Sequence, residues 1–166
     1  MNNYVCKIAT IGEIKNQFDF WIKEDPEEKE NWIKWKEQEV NNAKENKIIA
    51  YYGFLDNKVI SETYARISPE GFNNPEGIVD DTTAYLFAFR TIKKYQNQGY
   101  FSKLYDFMIN DLKSRGYKKV TLAVDPEEKK NMNIYNKKGF TELIKKSKIT
   151  YPDGYTIDVL YYGKEI

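Results

Sequence analysis

The order in which strand-like and helix-like periodicities follow one another constrains this chain most. Tyr4 to Ile11 reads as a strand, and Ile14, Phe18, Trp21 and Ile22 then recur at the three- and four-residue spacings of a helix face. A second helix is announced by Asp25 as cap, Pro26 at its first position and Glu28 three residues on, a capping-box arrangement. Its Trp32, Trp35, Glu39 and Val40 make an aromatic but incomplete apolar face. Ile48 to Leu55 and Val59 to Ile67 read as strands about a turn at Asp56-Asn57-Lys58, and Ser68 to Asp81 as a loop rich in Pro, Gly and Asn. A strand from Thr83 to Ile92 feeds a polar turn and a helix starting near Gly99, with a stripe of Phe101, Leu104, Tyr105, Met108 and Leu112 closed by Arg115-Gly116. Lys118 to Val124 is a strand and Glu127 to Lys138 a helix closed by Gly139. Two further strands meet at Pro152-Asp153-Gly154. This order implies an α/β chain with a mixed sheet covered by helices, and a pure doubly wound sheet does not fit.

A length of 166 residues suits one domain, here 1–166, with no segment that reads as a linker. Lys and Arg number 26 against 25 Asp and Glu, finely interleaved, so no field of one sign is expected to hold nucleic acid or a membrane. The longest apolar run, Ala84 to Phe89, is far short of the ~20 residues that span a bilayer, and Met1 to Lys7 has no apolar leader core. A soluble, cytoplasmic protein is expected. Cys6 is the single cysteine and reads as a small buried hydrophobe. The absence of histidine removes Ser-His-Asp triads, Cys-His dyads and imidazole bases together, and no metal centre is expected. Proton transfer then falls to a carboxylate, Tyr, Lys or water.

The segment richest in chemistry runs from Phe89 to Leu104, a strand turning sharply into an amphipathic helix. The start of such a helix leaves amide N–H groups without intrahelical partners and carries about half a positive charge, and Gly99 lets an anion approach the backbone. Pyrophosphate binding is the chemistry this predicts, although a lone glycine can equally just ease a turn. Neither the P-loop pattern nor the three-glycine dinucleotide pattern is present.

Gln96-Asn97-Gln98-Gly99-Tyr100-Phe101 resembles the acyl-CoA pyrophosphate loop of GNAT acetyltransferases: Arg or Gln, two residues, Gly, one residue, then Gly or Ala. Phe89-Arg90-Thr91 before it and Ser102-Lys103-Leu104 after it look like that family's flanks; Phe101 departs from the small residue usual there. Downstream, Asn131 to Phe140 resembles the family's later helix, ending Tyr135, Asn136, Lys137, Lys138, Gly139, Phe140, with Asn131 at a position often held by Ala. The resemblance implies the GNAT-like acyl-CoA N-acyltransferase fold, a mixed, mostly antiparallel sheet of about seven strands with about four helices. It further implies acetyl-CoA as cosubstrate, with the pantetheine arm lying along the fourth strand and bonding to Phe89, Arg90 and Thr91. The cofactor-binding set it implies is Phe89, Arg90, Thr91, Gln96, Asn97, Gln98, Gly99, Tyr100, Phe101, Ser102 and Asn131.

The activity expected from the resemblance is transfer of an acetyl group to a primary amine by direct attack in a ternary complex, since no activated nucleophile is present to carry the acyl group. Tyr135 is the candidate acid for the departing thiolate, and a fourth-strand N–H near Phe89 to Thr91 the candidate oxyanion donor. Glu62, Asp80 and Asp81 lie where a base would act through water, but each reads first as a solvated surface carboxylate. Trp21, Trp32, Trp35, Tyr64 and Tyr85 are candidates to line the acceptor pocket or simply to fill the core. Acids from Glu24 to Glu30 would attract a cationic acceptor or merely serve the helix dipole. The runner-up function is an acyl-CoA-binding sensor without turnover, and a third is an interaction protein with no ligand. Thr156 to Tyr162 reads as an edge strand, leaving monomer or homodimer open.

Overall fold

A computed structural model describes residues 3–166; Met1 and Asn2, part of the segment read above for a leader, lie outside the described residues. Strand β1 (Tyr4–Ile8) leads to helices α1 (Ile11–Glu24) and α2 (Lys29–Lys44), with a single 3-10 turn, Pro26–Glu28, between them. Strands β2 (Ile48–Leu55), β3 (Lys58–Arg66) and β4 (Thr83–Thr91) follow, then α3 (Tyr100–Ser114), β5 (Lys119–Val124), α4 (Lys129–Lys137), β6 (Glu142–Thr150) and β7 (Thr156–Glu165). The strands form one sheet in the order β1-β2-β3-β4-β5-β7-β6. Every pairing is antiparallel except β4 with β5, whose connection runs through α3. Among the described residues no helix is long and apolar enough to cross a membrane.

The strand alternation sorts side chains into two cores. Ile49, Tyr51, Ala65, Ala84 and Leu86 pack against Leu104, Met108 and Leu112 of α3, while Ile48, Ala50, Tyr52 and Tyr64 meet Ile14 and Phe18 of α1 and Trp32 and Val40 of α2. β2 is buried on both faces for this reason, which explains its nearly unbroken apolar sequence. A third cluster tucks Ile78 and Val79 of the long β3–β4 loop beneath Tyr85, Val159 and Tyr161.

Three local expectations change. The capping box belongs to α1, where the Glu13 N–H donates to Thr10 Oγ1 (3.1 Å) and the Thr10 N–H to Glu13 Oε1 (2.9 Å). Asp25 makes no side-chain cap; its Oδ2 accepts from Trp32 Nε1 (3.1 Å), and Pro26–Glu28 winds as 3-10 helix before α2 begins. The expected edge strand is interior: β7 lies between β5 and β6, and the lysine-rich β6 forms the edge.

Candidate functional site

Between β4 and β5 the sheet opens. The two strands pair in register only over Thr83–Leu86 and Lys119–Leu122, so from residue 87 to 91 β4 keeps β3 as its one ladder partner. A bulge sits at the start of this stretch. Glu62 pairs with Arg90 and Tyr64 with Phe87, which leaves two β4 residues opposite Thr63, and Ala88 takes a left-handed φ of 58°. A non-glycine residue in that region costs free energy, so the surrounding pairing must hold it there. The bulge has a steric consequence. Phe89 faces α3 and α4, its ring 5.5 Å from those of Phe101 and Tyr135, while Phe87, Ala88 and Arg90 face a cavity under α1 and α2.

On the α3 face the predicted loop is laid out as a short, exposed path. Gln96 Nε2 donates to Thr91 O (2.9 Å) and Gln98 Nε2 to Lys94 O (2.8 Å), so these two side chains shape the turn. Asn97 (φ 61°) and Gly99 (φ 85°) both adopt the left-handed conformation that turns the chain into α3. A Cβ placed at Gly99 would meet nothing within 4 Å, so the approach to the helix start is open. The first backbone hydrogen bond of α3 runs from the Lys103 N–H to Gly99 O (3.2 Å), placing the Phe101 and Ser102 amides ahead of it at the positive end of the helix. Tyr100 is buried, its carbonyl accepting from Tyr4 Oη (2.9 Å). The Phe101 ring turns inward onto Phe89 and Tyr105, so the departure from the small-residue pattern leaves the amide face clear. Ser102 and Asn131 are exposed, and Asn131 Nδ2 donates to Glu128 Oε2 (2.5 Å) at the start of α4. The geometry thus fits an extended anion-bearing ligand running from the helix start to β4.

Tyr135, half-buried on α4, reaches the same opening, and burial pushes its phenol up to about 12. Its proton is therefore held well above neutrality. Cys6, by contrast, sits three strands away on β1, roughly 14 Å across the sheet, too far to take part.

On the other face lies a cavity of about 560 Å³. Of the five aromatics read as pocket or core, Trp35, Tyr64 and Tyr85 line this cavity, whereas Trp21 and Trp32 stand behind its wall in a stacked pair 5.5 Å apart. Its floor carries the rings of Tyr64, Phe87 and Tyr85, spaced 5.5 and 5.7 Å. The β6–β7 hairpin closes one side, clasped to α2 by Asn31, which donates to Asp153 Oδ2 (3.1 Å) and accepts from the Asp153 N–H (3.0 Å).

The expectation that Glu62 is a solvated carboxylate is overturned. Only 1 % of it is exposed; Oε1 accepts from Arg90 Nη1 and Trp21 Nε1, both at 2.8 Å, and Oε2 is buried without a partner. Burial raises its pKa, opposed by Arg90 and Trp21. The Arg90 guanidinium, stacked 4.6 Å from the Trp32 ring, completes the pair. Asp80 and Asp81 are exposed, as expected, but lie just before β4, about 23 Å of strand from the bulge. The acids of Glu24 to Glu30 sit at the α1–α2 corner, where Glu28 accepts from Asn31 (2.7 Å). Arg66 and Glu39, both lining the cavity, were not among the residues singled out as site candidates. The available signal was that Glu62, Tyr64 and Arg66 alternate on one face of β3.

Comparison with known proteins agrees with this architecture. The chain superposes on a GNAT-family acetyltransferase from Streptococcus pneumoniae with a TM-score of 0.67 at 17 % identity, over 99 % of this chain and 100 % of that one. A GNAT-family acetyltransferase from Elizabethkingia anophelis with acetyl-CoA bound gives 0.66 at 18 %, over 99 % of each chain. The ribosomal-protein-S18-alanine N-acetyltransferase of Escherichia coli gives 0.65 at 15 %, over 98 % of this chain and 94 % of that one. No curated protein sequence is significantly similar to it. The profile described as the acetyltransferase (GNAT) family matches residues 8–140, spanning the opened sheet, the helix start and Tyr135, and the chain belongs to that family.

Proposed function

We propose that residues 1–166 form a single N-acetyltransferase domain that moves an acetyl group from acetyl-CoA to a primary amine within a ternary complex. The observation that carries this reading is the opening of β4 from β5 beyond Leu86, with an exposed helix start on one face and a half-open, aromatic-floored cavity on the other. A thioester lying along β4 would be reached from the cavity through that opening.

The residues divide the work by position. The amides from Gly99 to Ser102, with Gln96, Asn97 and Gln98 shaping the turn, receive the pyrophosphate. The β4 backbone at Phe89, Arg90 and Thr91 pairs with the pantetheine arm, and Asn131 faces its far end from α4. The acceptor nitrogen attacks the thioester carbonyl, forming the C–N bond as the C–S bond breaks, and an amide N–H at the bulge stabilises the oxyanion. The departing thiolate takes its proton from Tyr135, which regains one from water. Of the three carboxylates considered, Glu62 stands beside the bulge, and its raised pKa suits it to accept the amine's proton through a water at Arg90.

Calorimetric titration with acetyl-CoA tests the donor half without knowledge of the acceptor. One-to-one binding is expected. Thiol release on adding an amine then separates the enzyme from a sensor: binding without release by any amine would favour the sensor, and no binding at millimolar acetyl-CoA would end both readings.

A further inference from the structure

Arg66 is the most unusual charged group in the molecule outside the Glu62–Arg90 pair. It ends β3, directly across the ladder from Tyr85, and is only 7 % exposed. Its guanidinium is held from one side by backbone carbonyls, Nε donating to Ser68 O (2.8 Å) and Nη2 to Glu70 O, and it lies 6.0 Å over the Phe72 ring. Among the described residues no carboxylate forms a salt bridge with it. Buried cations are ordinarily paired, because an unpaired charge is costly to take out of water. Two carbonyl dipoles and a ring face offset only part of that. The remaining nitrogen, Nη1, makes no hydrogen bond to the described residues, and Arg66 lines the cavity.

Glu39 on α2 and Glu70 in the β3–β4 loop are both close enough for their charge to act on Arg66. Glu70 is exposed and pairs with Lys47 (3.5 Å), and Glu39 is the rival counter-ion within the cavity wall. It does not bridge. Its Oε1 accepts from Asn42 Nδ2 (2.9 Å), its Oε2 is buried without a partner, and burial raises its pKa, opposed by Asn42, Arg66 and Arg90. Between Arg66 and the bulge run the rings of Tyr85, Phe87 and Tyr64, a flat apolar floor three residues long on β4.

On the acetyltransferase reading above, we propose that the acceptor is an amine bearing a carboxylate about 10 Å from its nitrogen, three strand residues away, across an aromatic or apolar body, with the carboxylate on Arg66. The nitrogen then sits at Ala88 and the body on the ring floor. A carboxylate on the same carbon as the amine would lie too close to the bulge to reach Arg66.

The test compares 3-(4-aminomethylphenyl)propionate with 4-propylbenzylamine, the same body and amine without the charge, and with phenylalanine, whose carboxylate is misplaced. Thiol release with saturating acetyl-CoA should show a KM about tenfold lower for the first than for either other, with kcat similar to that of the propyl amine. Arg66→Gln should erase the difference and Arg66→Lys should retain part of it. Equal KM values in the unmodified protein would overturn the proposal. If no amine is turned over, 3-(4-methylphenyl)propionate, which lacks the amine, decides by thermal stabilisation: a raised Tm relative to 4-propyltoluene supports the anion site, and an unchanged Tm overturns it. Acetyl-CoA titration of the same protein distinguishes the two failures, since loss of acetyl-CoA binding with retained stabilisation by the carboxylate would remove the acetyltransferase reading and leave the anion site standing.

Discussion

On the α3 face of the β4–β5 opening, the groups proposed to hold the donor lie within one stretch from Phe89 to Ser102, plus Tyr135 and Asn131 on α4, and the loop itself is exposed. On the α1–α2 face, the cavity wall comes from α1, α2, β3, β4, the β3–β4 loop and the β6–β7 hairpin, with Arg66 buried in it and Arg90 half-buried on the fully buried Glu62. On that proposal, the first surface works through backbone amides, which nearly any side chain would leave in place. The second works through particular side chains whose charge is costly to bury, so its chemistry is specific and its tolerance for change is low. A shared donor needs a constant, local cradle, whereas an individual acceptor needs an assembled one.

The largest effect expected is on the acceptor side. Glu62→Ala leaves the half-buried Arg90 without its carboxylate and Trp21 without its acceptor, and should cost about 3 kcal/mol of stability, read by denaturant unfolding; a loss below about 0.5 kcal/mol would show that the pair is not desolvated in solution. Tyr135→Phe spans the two faces, because it leaves donor binding intact and removes the acid: kcat should fall about a hundredfold with the Kd for acetyl-CoA unchanged. Since the acid must carry its proton and its pKa lies near 12, kcat of the unmodified protein should show no falling limb through about pH 10, and a decline near pH 8 would remove Tyr135 from the role. Gly99→Asp puts a negative group at the open helix start and should weaken acetyl-CoA about thirtyfold while the Tm moves little, as a Cβ there meets nothing and Asp tolerates the left-handed backbone. The smallest change, Asn31→Ala, unclasps the hairpin from α2; a loss of about 1 kcal/mol with a raised acceptor KM and unchanged acetyl-CoA affinity would separate the faces cleanly.

The capping patterns show how far local signals reach. Both Thr10-Ile11-Gly12-Glu13 and Asp25-Pro26-Glu27-Glu28 satisfy the spacing, yet only Thr10 caps, because its backbone is extended (ψ 164°) while Asp25 is drawn to the Trp32 indole. The strand-to-helix turn at Gln96 to Tyr100 was legible because a left-handed glycine and an amphipathic stripe are both consequences of adjacent residues. Glu62 was misjudged because a carboxylate's burial depends on Trp21 and Arg90, 41 and 28 positions away, and neither spacing is a local pattern. The status of β7 failed likewise, since its neighbours β5 and β6 are chosen by pairing that period-two alternation leaves undetermined.

By itself, then, the amino-acid order determined the succession of strands and helices, the apolar stripe of α3 and the exposed glycine turn before it, all of which arise from φ/ψ preferences and periodicities within a few residues. Only the tertiary structure decided where β4 leaves β5, that Ala88 bulges, that Glu62 is buried against Arg90, and that Arg66 is buried in the wall of an aromatic cavity. Strand pairing and desolvation are sums over neighbours distant in the chain, and those neighbours exist only once the sheet has closed between its helices.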